Sequence, residues 1–478
     1  MWRNYVICVL IGLLLATSVS SVTLLRQSTA VQSDADRLRQ RAVAAESTTT
    51  SLQQQIDRSQ AAAATPAAQT VSTVPAGPRA TPVAAPAPAV GVIGPDSPIL
   101  QQIEDNVATL RGLQPKSPVS VRLLDQSALQ RMYVDRFNHD YLPDERESDQ
   151  KLLSTLGLIG PNDNVVQILL DVLQEQILGV YNQDDKIMYL LADNGRFGPD
   201  EKDTFAQEFD HALQDQYFDL TALSPKHPDN DDRALAVEAL TQGDSTLIQR
   251  LWAQNYLTPD ELNQVGQNGA SSKLFSAPLF LREQLLFPYA DGFNFIRQIY
   301  QTSGYAGVDA VFRDPPQSTA QVLHIDKYRN HVAPVEVDLP DLSQGALGDG
   351  WRKVNSNVFG ELDLRLMLTQ LTDSTQGVRG AGGWAGDRWE LLEKDGHQAF
   401  AIKSVWDSEA DATTFFRTFS QAMQNRYFGA RVEEASDARQ ALTATSAATE
   451  VRRRAATVVA VISFDRDTAQ SIADAIAD

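Results

Sequence analysis

The sequence predicts an α+β fold: a helix-rich domain carrying an edge β-hairpin, then a small C-terminal α+β domain. Three observations carry this. Residues 99–113 and 165–177 place apolar side chains at helical spacing. Leu178-Gly-Val-Tyr181 and Lys186-Ile-Met-Tyr-Leu-Leu191 flank Asn182-Gln-Asp-Asp185, the pattern of a hairpin. Near the C-terminus, two strand-like runs at 388–392 and 398–406 meet at Asp395-Gly396, a strong two-residue turn signal.

The chain opens on a membrane signal. Tyr5 to Leu25 carries no charge and is long enough to span a bilayer as a helix, with Arg3 before it and Arg26 after. Residues 1–30 thus read as a transmembrane anchor or, because Ala16-Thr17-Ser18-Val19-Ser20 is rich in small residues, as a signal peptide. Cys8 lies inside the run. Residues 31–59 are polar with sparse apolar positions, a juxtamembrane helix or coil. Residues 60–96 are almost wholly Ala, Pro, Thr, Val, Ser and Gly, a composition for an extended linker. This order implies a single-pass cell-membrane protein with an extracytoplasmic ectodomain.

The globular body begins near Ser97. Gly198-Pro199, followed by Asp200 and Glu201, starts a helix with acids in its first turn, where they suit the helix dipole. Helices are expected to about residue 330, so residues 97–340 form the first domain. A shift to Leu, Pro, Asp and Gly at 338–350 marks the second, residues 341–478. There a helix is expected over 361–371, and Asp407 or Ser408 caps another that runs to about Gln424. A β-branched strand at 457–464 and a short terminal helix close the chain.

Composition narrows the function. Of 478 residues 43% are hydrophobic and 21% charged, as in an ordinary globular protein. The net charge of −20 argues against nucleic-acid binding, which needs a basic footprint. A single cysteine excludes an intrachain disulfide and a cysteine-rich zinc site, so a metal would need His, Asp or Glu. The six histidines are His139, His211, His227, His324, His331 and His397.

Residues 204–220, Thr-Phe-Ala-Gln-Glu-Phe-Asp-His-Ala-Leu-Gln-Asp-Gln-Tyr-Phe-Asp-Leu, carry the sharpest chemistry. In the HExxH arrangement two histidines four apart bind zinc, and the glutamate after the first is the general base. Glu208 and His211 hold the second and fifth positions, but Gln207 holds the first. On a helix, Phe205, Phe209, Ala212 and Leu213 form a core-facing stripe. Gln207 and His211 then lie one turn apart on another face, aimed at a cleft, with Glu208 between that face and the stripe. The plainer alternative is a polar i, i+3 pair on an amphipathic helix.

The segment from Glu208 to Leu220 resembles the motif helix of a bacterial family of gluzincin-like metallopeptidases, whose pattern reads His-Glu-x-x-His-Ala-Leu-Gln-Asp-Gln-x-Phe-Asp-Leu. The resemblance continues at Ala239-Leu-Thr-Gln-Gly-Asp-Ser-Thr246, Pro288-Tyr-Ala-Asp-Gly-Phe-Asn-Phe295 and Pro315 to Tyr328. It extends to Trp384-Ala-Gly-Asp-Arg-Trp389 and Val405 to Ala412, so it spans roughly 99–425. It implies a helix-rich zincin-like fold of gluzincin type over 97–340. It also implies that Gln207 stands at the first ligand position and Gln242 at the third, with His211 the retained ligand.

A carboxamide is a weak neutral ligand for zinc, so no cofactor is expected unless a site is rebuilt, for instance from His211, Glu238 and another carboxylate. Asp215 and Asp244 belong to the family pattern as helix contacts or orienting groups. Tyr289 is either an oxyanion-stabilising donor or a tyrosine packed at a helix start. His324 is either functional or structural.

Three functions follow. One is a catalytically inactive metallopeptidase homologue that binds or scaffolds envelope proteins or peptides. Another is an active zinc metalloprotease with altered ligands and Glu208 as base. The third is a structural envelope protein. An open cleft beside the strand at 186–191 favours binding; a cleft filled by side chains favours the structural role.

Overall fold

The computed structural model describes residues 91–92, 97–175, 178–191, 196–226, 228–266, 272–343 and 347–477. The expected anchor at 1–30, the helix or coil at 31–59, Cys8 and His227 lie outside them. Among the described residues no helix is long and apolar enough to cross a membrane. The expectation of a single-pass cell-membrane protein is corrected on that finding, since the run on which it rested is not among them.

Most of the expected linker, residues 60–96, is also outside, but Gly91–Val92 (β1) pairs antiparallel with Arg196–Phe197 (β5). Helix α1, Pro98–Arg111, follows, closed by Gly112 in the left-handed conformation. Strand β2, Ser120–Leu124, leads to α2, Gln126–Asp140, capped by the Asp125 carboxylate. Helices α3, Pro143–Leu156, and α4, Val165–Glu175, complete the first helical layer.

The hairpin forms as β3, Gly179–Asn182, and β4, Ile187–Leu191. The hairpin lies at the sheet edge, but the edge strand is not the expected one at 186–191. The sheet order is β2-β4-β3, with β2 parallel to β4, so the 187–191 strand is central and β3 is an edge. The buried run Met188 to Leu191 fits a strand flanked on both sides.

Helix α5, Pro199–Phe218, begins where the Glu201 carboxylate accepts the Gly198 N–H at 2.8 Å. It ends at Asp219, which has positive φ and also caps the short α6, Leu220–Leu223. Asn230 caps the long α7, Asp231–Tyr256. After α8, Pro259–Gln264, and α9, Ser272–Ser276, helix α10 spans Leu279–Phe287. A π-helical turn at Pro288–Gly292 joins it to α11, Phe293–Arg313. Short helices α12, Thr319–Leu323, and α13, Ile325–Arg329, end this half.

The C-terminal part is built on a seven-stranded antiparallel sheet. Its strands are β6, Arg352–Asn357; β7, Trp384–Lys394; β8, His397–Trp406; β9, Arg431–Ala435; β10, Arg439–Thr443; β11, Ala448–Arg454; and β12, Thr457–Ser463. The order is β6-β7-β8-β12-β11-β10-β9. The Asp395-Gly396 turn has positive φ at both residues, as a type I′ hairpin requires.

Helices α14, Gly360–Leu371, α15, Ser374–Ala381, and α16, Glu409–Arg426, supply the apolar surface for one face of the sheet. The terminal α17, Arg466–Ala477, covers part of the other face through Ala469, Ile472 and Ala473. Ser408, not Asp407, caps α16.

The two halves share a continuous core. One apolar cluster runs from Phe137 and Leu240 in the helical half to Trp389, Phe400 and Phe415 under the sheet.

Candidate functional site

Helices α5 and α7 pack side by side and bring four of the expected site residues together. Gln207 Nε2 donates to Gln242 Oε1 at 3.4 Å, and His211 Nε2 lies 3.3 Å from that same oxygen. Gln242 Nε2 donates to Glu238 Oε1 at 3.0 Å, one turn earlier on α7. One carboxamide thus bridges the two would-be ligand positions of α5 and the nearest carboxylate.

The expected cleft is absent here. Gln207 and Glu208 are 0% exposed, His211 3% and Gln242 1%. Tyr181 of β3, with Leu220 and Ser224 around α6, closes over the site. What remains is a cavity of about 20 Å³ beside His211, Glu238 and Gln242, room for a single water. The helix is not amphipathic as the stripe implied. Residues 203 to 215 are all buried, so its polar face points into protein too.

Burial sets the protonation states. His211 is lowered to about 4, first by burial, against hydrogen bonds to Gln214 and Gln242 that act the other way. It is therefore a neutral imidazole at pH 7. Its Nδ1 lies 3.1 Å from Gln214 Oε1 and its Nε2 3.3 Å from Gln242 Oε1, so both ring nitrogens face carboxamide oxygens and the single N–H of the neutral ring donates to one of them. Glu208 is pushed well above the carboxylate range by burial, opposed by the Tyr181 N–H that it accepts at 2.8 Å. It is turned towards β3 and does not line the cavity, which is not the placement of a general base.

Behind His211 runs a charged network that sequence reasoning missed. Gln214 Nε2 donates to Asp210 Oδ2 at 2.8 Å, to the Thr241 carbonyl at 3.1 Å and to Asp244 Oδ2 at 3.2 Å. Asp244 accepts from Arg111 Nε at 3.0 Å, and Asp210 Oδ1 lies 3.7 Å from the same nitrogen. Arg111 Nη1 also donates to Asp309 at 2.8 Å, and the guanidinium stacks over Tyr305, 4.6 Å from the ring centre.

Burial opposes the charge on Arg111, but Asp244, Asp210 and Asp309 raise its pKa above its ordinary value. Burial raises both Asp210 and Asp244, and Arg111 offsets this for each. Asp244, at 3.0 Å, stands closer to the cation than Asp210, at 3.7 Å.

The other expected site residues stand apart from the His211 cavity. Asp215 accepts from the Tyr181 hydroxyl at 2.8 Å and from Lys186 Nζ at 2.6 Å, tying α5 to the hairpin. Tyr289 is buried in the π-helical turn packed on α7.

His324 lies 2.6 Å from Glu361 Oε1 and joins the α12–α13 corner to α14. That hydrogen bond raises its pKa, against burial. The pair's contribution is then full below the unfolded histidine pKa, about 6.5, and is lost as pH rises through the higher folded value. The Tm gap between wild type and His324→Gln should therefore widen in acid and close in alkali; a gap independent of pH would refute this.

The donor set does not fit zinc. One neutral imidazole, two carboxamides and the single carboxyl group of Glu238 are present, and among the described residues no three His, Cys, Asp or Glu side chains are grouped to hold a metal ion.

A family model for a domain of unknown function, DUF8575, matches residues 347–473, the segment that holds the seven-stranded sheet and the helices packed on it. No curated protein and no solved structure matches the chain.

Proposed function

We propose that this chain is a non-catalytic scaffold protein. It keeps the helix pair of a gluzincin-like metallopeptidase, and a buried hydrogen-bond network takes the place of the metal centre. The observation that carries this is the Gln242 carboxamide, which meets Gln207, His211 and Glu238 at 3.0–3.4 Å with all four side chains buried. Three features support it: ligand positions filled by weak neutral donors, a carboxyl at Glu208 that is buried and faces a strand, and a cavity too small for a peptide. The helix pair then serves as structure, and binding belongs to other surfaces.

Metal content of the full chain after zinc exposure and dialysis tests the reading, with Gln207→His/Gln242→Glu alongside. The wild type should retain no zinc. The double variant, with two imidazoles and a carboxylate, should hold about one per chain. Stoichiometric zinc in the wild type that disappears in His211→Ala would overturn the proposal.

A further inference from the structure

In the C-terminal sheet, four cations fall in one line. Arg388 of β7 sits opposite Lys403 of β8, and Lys403 opposite Val459 of β12. Val459 in turn faces Arg452 of β11, and Arg452 faces Arg439 of β10. The residues are in register, so all five share a face, the one that α17 partly covers. At about 4.8 Å between strands the row spans roughly 19 Å.

Like charges directly opposed across strands destabilise a sheet. Half of the row is compensated internally. Glu450 accepts from Arg439 Nε at 2.5 Å and from Arg452 Nε at 2.7 Å, and Asp474 on α17 meets Arg452 at 2.6 Å. The other half is not. Arg388 bonds to Ser356, and neither it, Lys403 nor Arg454 has a carboxylate partner among the described residues.

A cavity of about 460 Å³ opens at this point, beside the end of α17. Lys403, Arg452 and Arg454 rim it, and Val459 and Ile476 give it an apolar floor. Guanidinium groups with free N–H donors bind carboxylates in a fork, and an ammonium adds a point charge.

We infer that this groove binds a short acidic peptide segment of a partner protein. Its carboxylates meet Lys403, Arg452 and Arg454, and an apolar side chain between them rests on Val459 and Ile476. Charge complementarity selects the acid, and the apolar floor selects a peptide side chain over a bare anion. The net charge of −20 selects a short partner. Fields are screened over about 8 Å at physiological salt, so a short segment feels the groove, whereas a long polyanion also meets the acidic remainder. None of this depends on the state of the α5–α7 site.

Fluorescence anisotropy with the full chain tests it. The probe is a labelled peptide Glu-Asp-Leu-Glu-Asp-Leu, with Gln-Asn-Leu-Gln-Asn-Leu and a hexathymidine as comparators. The acidic peptide should bind at 50 mM salt and weaken about ten-fold by 300 mM, and the neutral peptide should bind at least ten-fold more weakly. Lys403→Glu/Arg454→Glu should abolish binding with an unchanged Tm. If that variant does not fold, Lys403→Gln/Arg454→Gln should still weaken binding at least about three-fold. Absence of binding, equal binding by the charge variants, or tighter binding of the oligonucleotide would each overturn the assignment.

Discussion

Gly243→Ala should destabilise the protein by about 3 kcal/mol, in the range of overpacking a tight core. Helix propensity argues the opposite, because Ala is worth about 1 kcal/mol more than Gly inside a helix, and Gly243 lies within α7. Packing decides the sign. A Cβ at Gly243 would sit 2.3 Å from the carbonyl oxygen of Gly292. A Cβ at Gly292 would sit 2.3 Å from the Ala239 carbonyl oxygen.

The two glycines let α7 and the π-helical turn approach backbone to backbone, so no side-chain rotamer can relieve the clash. The structure gives them a common purpose, the close approach of two elements. Chemical denaturation of Gly243→Ala checks this. A midpoint equal to or above wild type would show that the turn can retreat at little cost.

The second large effect is expected at Arg111. Arg111→Met keeps the bulk but leaves Asp244 and Asp210 buried without their cation. Breaking a buried charge pair from one side costs about 3–5 kcal/mol, and both Arg111 and Asp244 are buried here. The deficit should depend on pH in a defined direction. Without Arg111 the folded-state pKa of Asp244, already raised by burial, rises further above its unfolded value.

Between the unfolded and folded values the native state then binds the extra proton, so native stability gains as pH falls. Urea unfolding at pH 7 and pH 5 should show a smaller gap between variant and wild type at the lower pH. A gap that stays constant would mean that the carboxyls are not the source of the loss.

The sequence made the local elements legible wherever one strand or helix carries its own signal. The hairpin at 179–191, the Gly198-Pro199 start, the Asp395-Gly396 turn and the β12 strand all have local chemistry that specifies them. Strands β2, β6, β9, β10 and β11 were not foreseen. Lys353, Glu433 and Arg452 give these strands polar faces, and their pairing depends on neighbours distant in sequence.

At the candidate site, Gln207, His211 and Gln242 could be placed from their spacing and resemblance. The closure over them could not. Nothing local marks Asp210 and Gln214 as members of a buried network: Arg111, about a hundred residues earlier, is brought beside Asp210 and Asp244 by the packing of α1 on α5. Polar residues on a helix look exposed when their buried partners lie on another element.

The bridging role of the Gln242 carboxamide also shapes how this chain can change. A lone Gln207→His puts a second imidazole against an oxygen already shared with His211. A lone Gln242→Glu places a second carboxylate in a buried site beside Glu238. Each single step is uphill, while the pair together completes a ligand set. The network therefore acts as an epistatic lock: mutations arriving one at a time meet a fitness valley on the road to a metal centre, and drift alone tends to keep the door shut.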